Sequence, residues 1–278
     1  MEYGFDTGIL YLKDRELKDA LELFADRGVR YIEHGMDFLR ELEEDAERKF
    51  REISEITESL GLYVVQVHAP YIGVYEKLGD MDEEIYRKTL KRMLRWVRYT
   101  SILGSNNMIV HPAELPKTIE MSFVDAVEFC RRRNLEVARE LSKAGEEYGV
   151  TISFENEYGL KFGCSPEDLI EIVQVNPDIL GICFDVGHAN IRQLNLVSFL
   201  KKISRFLTAT HLHDNNGVSD EHLPPMMGSI NWRELIIGFK EIGYSKPLIL
   251  EVGSGKNYMT SLNRFEISRM VLDTLLGK

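Results

Sequence analysis

Short β-branched and aromatic runs alternate along the chain with longer charged stretches whose apolar residues recur at helical spacing, the pattern of repeated strand-helix units. The runs predict strands over Tyr3–Ile9, Val29–His34, Tyr63–His68, Asn107–His111, Thr151–Asn156, Gly181–Asp185, Leu207–His211 and Pro247–Val252. A helix is predicted after each, over 14–27, 38–60, 82–103, 121–148, 165–175, 195–205, 231–241 and 261–276. Tyr63-Val64-Val65-Gln66-Val67 and Pro247-Leu248-Ile249-Leu250 are nearly continuous apolar runs, as parallel strands covered on both faces must be. Ser165-Pro166-Glu167-Asp168 supplies an N-cap, a proline at the first helical position and early acids for the fifth helix. No linker or low-complexity tract interrupts the series, and the GxGxxG signature of a doubly wound sheet is absent. The expected fold is therefore α/β, a single (β/α)8 TIM barrel spanning residues 1–278.

Composition narrows the function classes. Lys and Arg total 34 against 45 Asp and Glu, a net charge of −11, which disfavours broad attraction to nucleic acid. The one dense basic run, Arg131-Arg132-Arg133, is expected on the solvated outer face of the fourth helix, far from the barrel mouth. No window approaches the ~18 consecutive apolar residues of a membrane span, and the first residues lack a basic segment followed by an apolar core. These features predict a cytoplasmic protein with no membrane partner. The three cysteines, Cys130, Cys164 and Cys183, have no CxxC spacing and read as small buried hydrophobes.

The chemistry-bearing residues have a consistent address. A barrel keeps its active site at the C-terminal ends of its strands. All seven histidines, His34, His68, His111, His188, His211, His213 and His222, fall at or just beyond a predicted strand end, and none falls in a predicted helix. Glu155, Asp185 and Glu251 share those positions, each after an apolar run that buries its neighbours. An ionised carboxylate there is costly unless a cation sits beside it, and Lys and Arg are scarce nearby. Carboxylate and imidazole without thiolate suit divalent ions such as zinc or manganese. Taken singly, each residue has a structural alternative: Asp185-Val186-Gly187-His188 can cap a turn and the next helix, and Asp220-Glu221-His222 can form a solvated loop.

Several segments together resemble the xylose isomerase-like superfamily of TIM barrels, also called AP endonuclease family 2. They are Val67-His68-Ala69-Pro70-Tyr71, Val110-His111-Pro112, Phe154-Glu155-Asn156, Cys183-Phe184-Asp185-Val186-Gly187-His188, His211-Leu212-His213-Asp214, Asp220-Glu221-His222 and Leu250-Glu251. The superfamily contains sugar isomerases and epimerases together with endonuclease IV. The resemblance implies metal ligands at His68, His111, Glu155, Asp185, His188, His211, Asp220, His222 and Glu251, holding one to three divalent ions. In the endonuclease pattern His68, His111 and Glu155 would take one ion, Glu155, Asp185, His211 and Glu251 a second, and His188, Asp220 and His222 a third. The sugar enzymes typically use only the second set. The sequence departs from the endonuclease at Val186-Gly187, where that enzyme has Thr-Cys, and at His213, where it has Asn. The loop Glu33-His34-Gly35-Met36-Asp37-Phe38-Leu39 also lacks the arginine that would enter a DNA groove.

Two chemistries follow from the resemblance. The favoured one is isomerisation or epimerisation of a small sugar or sugar phosphate through a metal-stabilised enediolate. Glu155 and Glu251 would move the proton and His188 would contact a substrate oxygen. Tyr71 and Trp232 are expected to line the substrate pocket, and Lys256, in the loop Gly253-Ser254-Gly255-Lys256, to meet a phosphate. The alternative is phosphodiester hydrolysis at abasic DNA with three zinc ions, the one case in which nucleic acid is a partner.

Overall fold

The computed structural model describes residues 1–12, 16–39, 45–117, 120–159 and 162–278. Eight strands run parallel: β1 Tyr3–Asp6, β2 Tyr31–His34, β3 Tyr63–His68, β4 Asn107–Val110, β5 Thr151–Glu155, β6 Leu180–Asp185, β7 Leu207–His211 and β8 Leu248–Leu250. They pair in sequence order from β1 to β7, and β8 returns to β1. A parallel bridge between Leu212 and Leu250 joins the remaining edges, with the Leu212 N–H donating to Ile249 O at 2.8 Å and the Glu251 N–H to Leu212 O at 3.1 Å. The expected barrel is thus present and its ring is closed.

Strand ends differ from the sequence expectation where a side chain captures the backbone. β1 stops at Asp6 because that carboxylate accepts the Gly8 N–H at 2.6 Å, turning Thr7–Leu10 into a 3-10 helix. Of the two continuous apolar runs, β8 is buried along its length as expected, whereas β3 begins exposed at Tyr63 and is fully buried only from Gln66 to His68.

Helices Glu83–Ile102, Phe123–Tyr148, Pro166–Val173, Leu196–Ile203 and Trp232–Glu241 fall within a few residues of the expected spans. Ser165 closes the anticipated cap, accepting from the Asp168 N–H at 3.2 Å while Asp168 accepts from the Ser165 N–H at 3.2 Å. The last helix starts earlier than expected, at Tyr258, because Asn257 forms a capping box with Thr260. The expected helix over 38–60 divides into Met36–Leu39 and Ala46–Ser59, with Asp45 in the left-handed region at φ 63°. Residues 40–44 of that helix, and 14 and 15 of the first, lie outside the described residues.

Arg133 corrects the reading of the basic run. Arg131 pairs with Glu171 on the surface, but Arg133 is buried, its guanidinium 3.7 Å from the Tyr86 ring centre and bonded to Glu83 at 3.2 Å. It joins two helices of the outer layer through stacking and pairing, a use arginine serves well. The three cysteines are buried as expected. Among the described residues no helix is long and apolar enough to cross a membrane.

Candidate metal centre at the barrel mouth

Glu155, the last residue of β5, is the hub of the site. Its Oε2 lies 3.4 Å from His68 Nε2 and 3.3 Å from His111 Nε2, while its Oε1 lies 3.0 Å from His211 Nδ1 and 3.5 Å from His188 Nδ1. Glu251 reaches the same His211 Nδ1 at 3.3 Å, and Asp185 stands 4.0 Å from it. Four strand ends therefore converge on one small volume, β3, β5, β6 and β7, joined by His111 just after β4 and Glu251 just after β8.

A second cluster adjoins it around Asp220. Its Oδ2 is 2.9 Å from His222 Nε2 and 3.4 Å from His188 Nε2, and its Oδ1 is 3.7 Å from His213 Nε2. Asp185 links the two clusters, with Oδ2 3.1 Å from His213 Nε2 and Oδ1 accepting the His188 N–H at 2.6 Å. Asp185 therefore does what both earlier readings asked: it caps the short helix Val186–Ile191 and faces the ligand set. That helix carries His188, so one histidine is helical after all. Asp220-Glu221-His222 is not a free loop either. Asp214 and Leu223 exchange backbone hydrogen bonds at 2.8 Å, and the Gly253 N–H donates to His222 O at 2.9 Å.

The hydrogen-bond network fixes which ring nitrogen faces inward. The Nδ1 atoms of His68, His188 and His222 lie 2.8, 2.8 and 2.7 Å from the backbone carbonyls of Ala69, Asn156 and Glu251. A carbonyl only accepts, so each Nδ1 carries the proton and each Nε2 turns a lone pair toward a carboxylate. Two lone pairs cannot face each other at such distances unless a proton or a metal ion lies between them. The buried Glu155 Oε2, His211 Nδ1 and Asp220 Oδ1, each turned toward the clustered side chains, have no hydrogen-bond partner among the described residues. Convergent, unsatisfied donors of this type fit a divalent cation, with the outward nitrogens held as metal-ligating histidines usually are.

Electrostatics agree. Burial pushes the Glu155 carboxyl up, but His211 and His111 beside it hold it well below the usual range. Burial lowers His111, yet Glu157, 2.7 Å from its Nδ1, and Glu155 raise it to about 10. His222 likewise reaches about 10 under Glu251 and Asp220, against the opposing effect of burial. Protons occupy the positions a cation would take. Cys183 also adjoins Glu155 and His211, but burial pushes its thiol up, so it stays protonated and is a poor ligand.

The expected substrate residues divide. Tyr71 stacks on His111, ring centres 5.1 Å apart, and meets His68 edge-on at 5.0 Å, placing it in the wall of the site. Trp232 does not reach the opening. It is 2% exposed and its indole N–H donates to the buried Asp214 at 2.7 Å. Lys256 is exposed, and two N–H groups of the loop expected to cradle a phosphate are already bonded: that of Gly253 to His222 O, and that of Gly255 to Ser261 Oγ at 2.8 Å.

Three residues were missed, and His213 was singled out but not assigned as a ligand. Glu33 and Asp6, both buried, lie beneath the ligands, Glu157 braces His111, and His213 joins the second cluster. Tyr31-Ile32-Glu33 is similar to Ile152-Ser153-Phe154-Glu155, an acid at the C-terminal end of a strand, one residue before the end in β2, and that signal was available. His34 is the one histidine not gathered. It is buried, neither ring nitrogen has a hydrogen-bond partner among the described residues, and burial lowers it to about 4. A cavity of about 590 Å³ lined by Tyr31, Tyr63, Tyr244 and Lys246 lies at the strand starts, the opposite end from the carboxylates.

Gly187 makes room for His213. A Cβ there would lie 2.5 Å from Nε2 of that ring and closer still to Cε1. Gly187→Ala is expected to cost about 1–3 kcal/mol by overpacking and to displace His213. A thermal melt checks this, and an unchanged Tm would show that the ring has space to move.

Comparison with known proteins agrees with this fold. A model of xylose isomerase-like TIM barrels matches residues 21–268. The chain is 30% identical over 220 residues, 77% of its length and 72% of the relative's, to the uncharacterized protein MJ1311 of Methanocaldococcus jannaschii. It is 22% identical to an inosose isomerase of Bacillus velezensis, covering 96% of this chain and 94% of that one. The crystal structure of a D-tagatose 3-epimerase-like protein superposes with a TM-score of 0.81 at 26% identity, covering 100% of this chain and 99% of the other.

Proposed function

We propose that this chain, which belongs to the xylose isomerase-like TIM barrel family, is a divalent-metal-dependent isomerase or epimerase of a small sugar or sugar phosphate. The observation that carries this reading is the convergence of two carboxylates from different strands on one imidazole nitrogen. Glu155 and Glu251 stand 3.0 and 3.3 Å from His211 Nδ1, and that nitrogen has no hydrogen-bond partner among the described residues. The names of the relatives, an inosose isomerase and a D-tagatose 3-epimerase-like protein, support the same class.

Glu155, Asp185, His211 and Glu251 would hold the ion. Zinc or manganese bound there supplies Lewis-acid polarisation of a substrate carbonyl and its neighbouring hydroxyl. Glu155 is almost fully enclosed, whereas the Glu251 side chain is 21% exposed, so the two carboxylates differ in how they meet a ligand. In the proposed reaction one takes the proton from the carbon beside the carbonyl and the other returns one, passing through an enediolate. Tyr71 offers an apolar face for a ring or chain of the substrate. His188, with Nδ1 held by Asn156 O and Nε2 toward Asp220, offers a contact to a substrate oxygen on the side of the second cluster.

The test is proton exchange with solvent. Protein loaded with Mn2+ or Zn2+ is expected to incorporate deuterium from D2O beside the carbonyl of at least one ketohexose, inosose or their phosphates, followed by NMR. Failure across that panel with stoichiometric metal bound would overturn the reading.

One observation favours a second reading, abasic-site phosphodiester hydrolysis. The Asp220 cluster gathers three imidazoles, more than a single-ion isomerase requires. Three ions per chain together with cleavage of an abasic duplex at low salt would establish it. One ion without cleavage would exclude it.

A further inference from the structure

His211 is held the opposite way round from the other fixed histidines of the site, and one residue accounts for this. His68, His188 and His222 turn Nε2 inward, but His211 turns Nδ1 toward Glu155 and Glu251. Its Nε2 faces the other way, 3.0 Å from Glu33 Oε2. Glu33 is the next-to-last residue of β2, on the far side of the ring from β7, and is completely buried. It is itself oriented: the Gln66 amide donates to the same Oε2 at 2.5 Å and to Thr210 O at 3.3 Å. A register shift between Ile32 and Glu33 brings Glu33 opposite Gln66 in the β2–β3 pairing.

We propose that Glu33 is a positioning residue that keeps the His211 proton on Nε2, so that the Nδ1 lone pair is presented to the metal. The inference rests on the metal-dependent reading of the site. An acceptor-only carboxylate at Nε2 selects the Nε2–H form, because the Nδ1–H form would set a lone pair against a charged oxygen. It also makes the ring a stronger donor through Nδ1, as carboxylate partners of metal-bound histidines do. Burial makes the arrangement stringent, since no water is available to substitute for Glu33. Gln66 completes the relay by preventing the carboxylate from rotating away. The chain from Gln66 through Glu33 to His211 thus spans the barrel interior and controls a ligand without touching the ion.

Metal affinity, read by competition between the protein and a chromophoric chelator for Co2+, tests the assignment apart from turnover. Glu33→Gln is expected to bind Co2+ ~10–100-fold more weakly than wild type and to change the visible Co2+ spectrum. Glu33→Asp is expected to recover part of the affinity. With a substrate in hand, kcat should fall more than KM, because the ligand that fails is not a substrate contact. Wild-type affinity and spectrum in folded Glu33→Gln would overturn the role of Glu33 alone. A wild-type protein that binds no Co2+ would overturn the metal-dependent reading and this inference with it. If Glu33→Gln does not fold, Gln66→Met leaves the carboxylate present but unheld. Weaker Co2+ binding then supports the relay, and unchanged binding overturns it.

Discussion

Glu155→Gln is expected to abolish turnover, with kcat reduced by ~10^3-fold or more, and to strip the protein of its tightest metal ion. Its carboxylate meets four histidines at 3.0 to 3.5 Å, so the substitution removes the charge that the inward-facing imidazoles share. An amide also places a donor where His68 and His111 present lone pairs. The partner variant separates the two effects. The Glu251 carboxylate lies 3.3 Å from His211 and 3.9 Å from His222, and its side chain is partly exposed. Glu251→Gln should therefore retain most of the metal while losing proton transfer, a loss of ~10^2–10^4-fold. Metal content by elemental analysis and deuterium exchange on the same samples read the two outcomes. Wild-type exchange in Glu251→Gln would remove that residue from the reaction.

Removing the metal should have the largest effect on stability, and the effect should depend on pH. In the metal-free protein His111 and His222 are raised to about 10 from an ordinary 6.5. A histidine raised on folding stabilises fully below the unfolded value and loses that contribution as pH rises through the folded one. Glu155 and Asp185 are lowered, so their contribution is present above about 4.5 and 3.8 and is lost as pH falls further. The metal-free protein is thus expected to be most stable between about pH 4.5 and 6.5 and to weaken steadily toward pH 10. Bound metal replaces those protons and opposes the decline. At free metal ~1000 times Kd the stabilisation is about 4 kcal/mol, or a Tm rise on the order of 10 °C. Melts with and without chelator should diverge as pH rises from 6 to 9. Parallel curves over that range would mean that protons and metal do not compete for these histidines.

Much of the site was legible in the sequence because a barrel turns strand order into position. Glu155, Asp185 and Glu251 announce themselves as acids that end apolar strands, and the barrel rule puts such ends in one ring. His68, His111 and His211 follow the same logic. The misreadings have a common cause. Trp232 lies close in sequence to the ligand-bearing loop, but it follows the turn and its N–H is spent on Asp214 beneath it. The Gly253-to-Lys256 loop has the composition of a phosphate cradle, yet two of its N–H groups, those of Gly253 and Gly255, are already given to His222 O and Ser261 Oγ. Composition reports which groups are present and leaves open which are already satisfied.

The sequence by itself determined the eight strand-helix units, the end of the barrel that carries the chemistry, and nearly the whole set of ligand-type residues. Those features depend on local periodicity and strand termini, which are written in neighbouring positions. Only the tertiary structure decided which histidine nitrogen faces inward, that Gly187 admits the His213 ring, and that Glu33 holds His211. Glu33 and His211 are 178 residues apart, and Gln66 and Thr210 are 144 apart. Such pairs meet only when the ring of strands closes and brings β2 across from β7. Until then no spacing rule relates them, and a buried carboxylate gives no sign of which proton it controls.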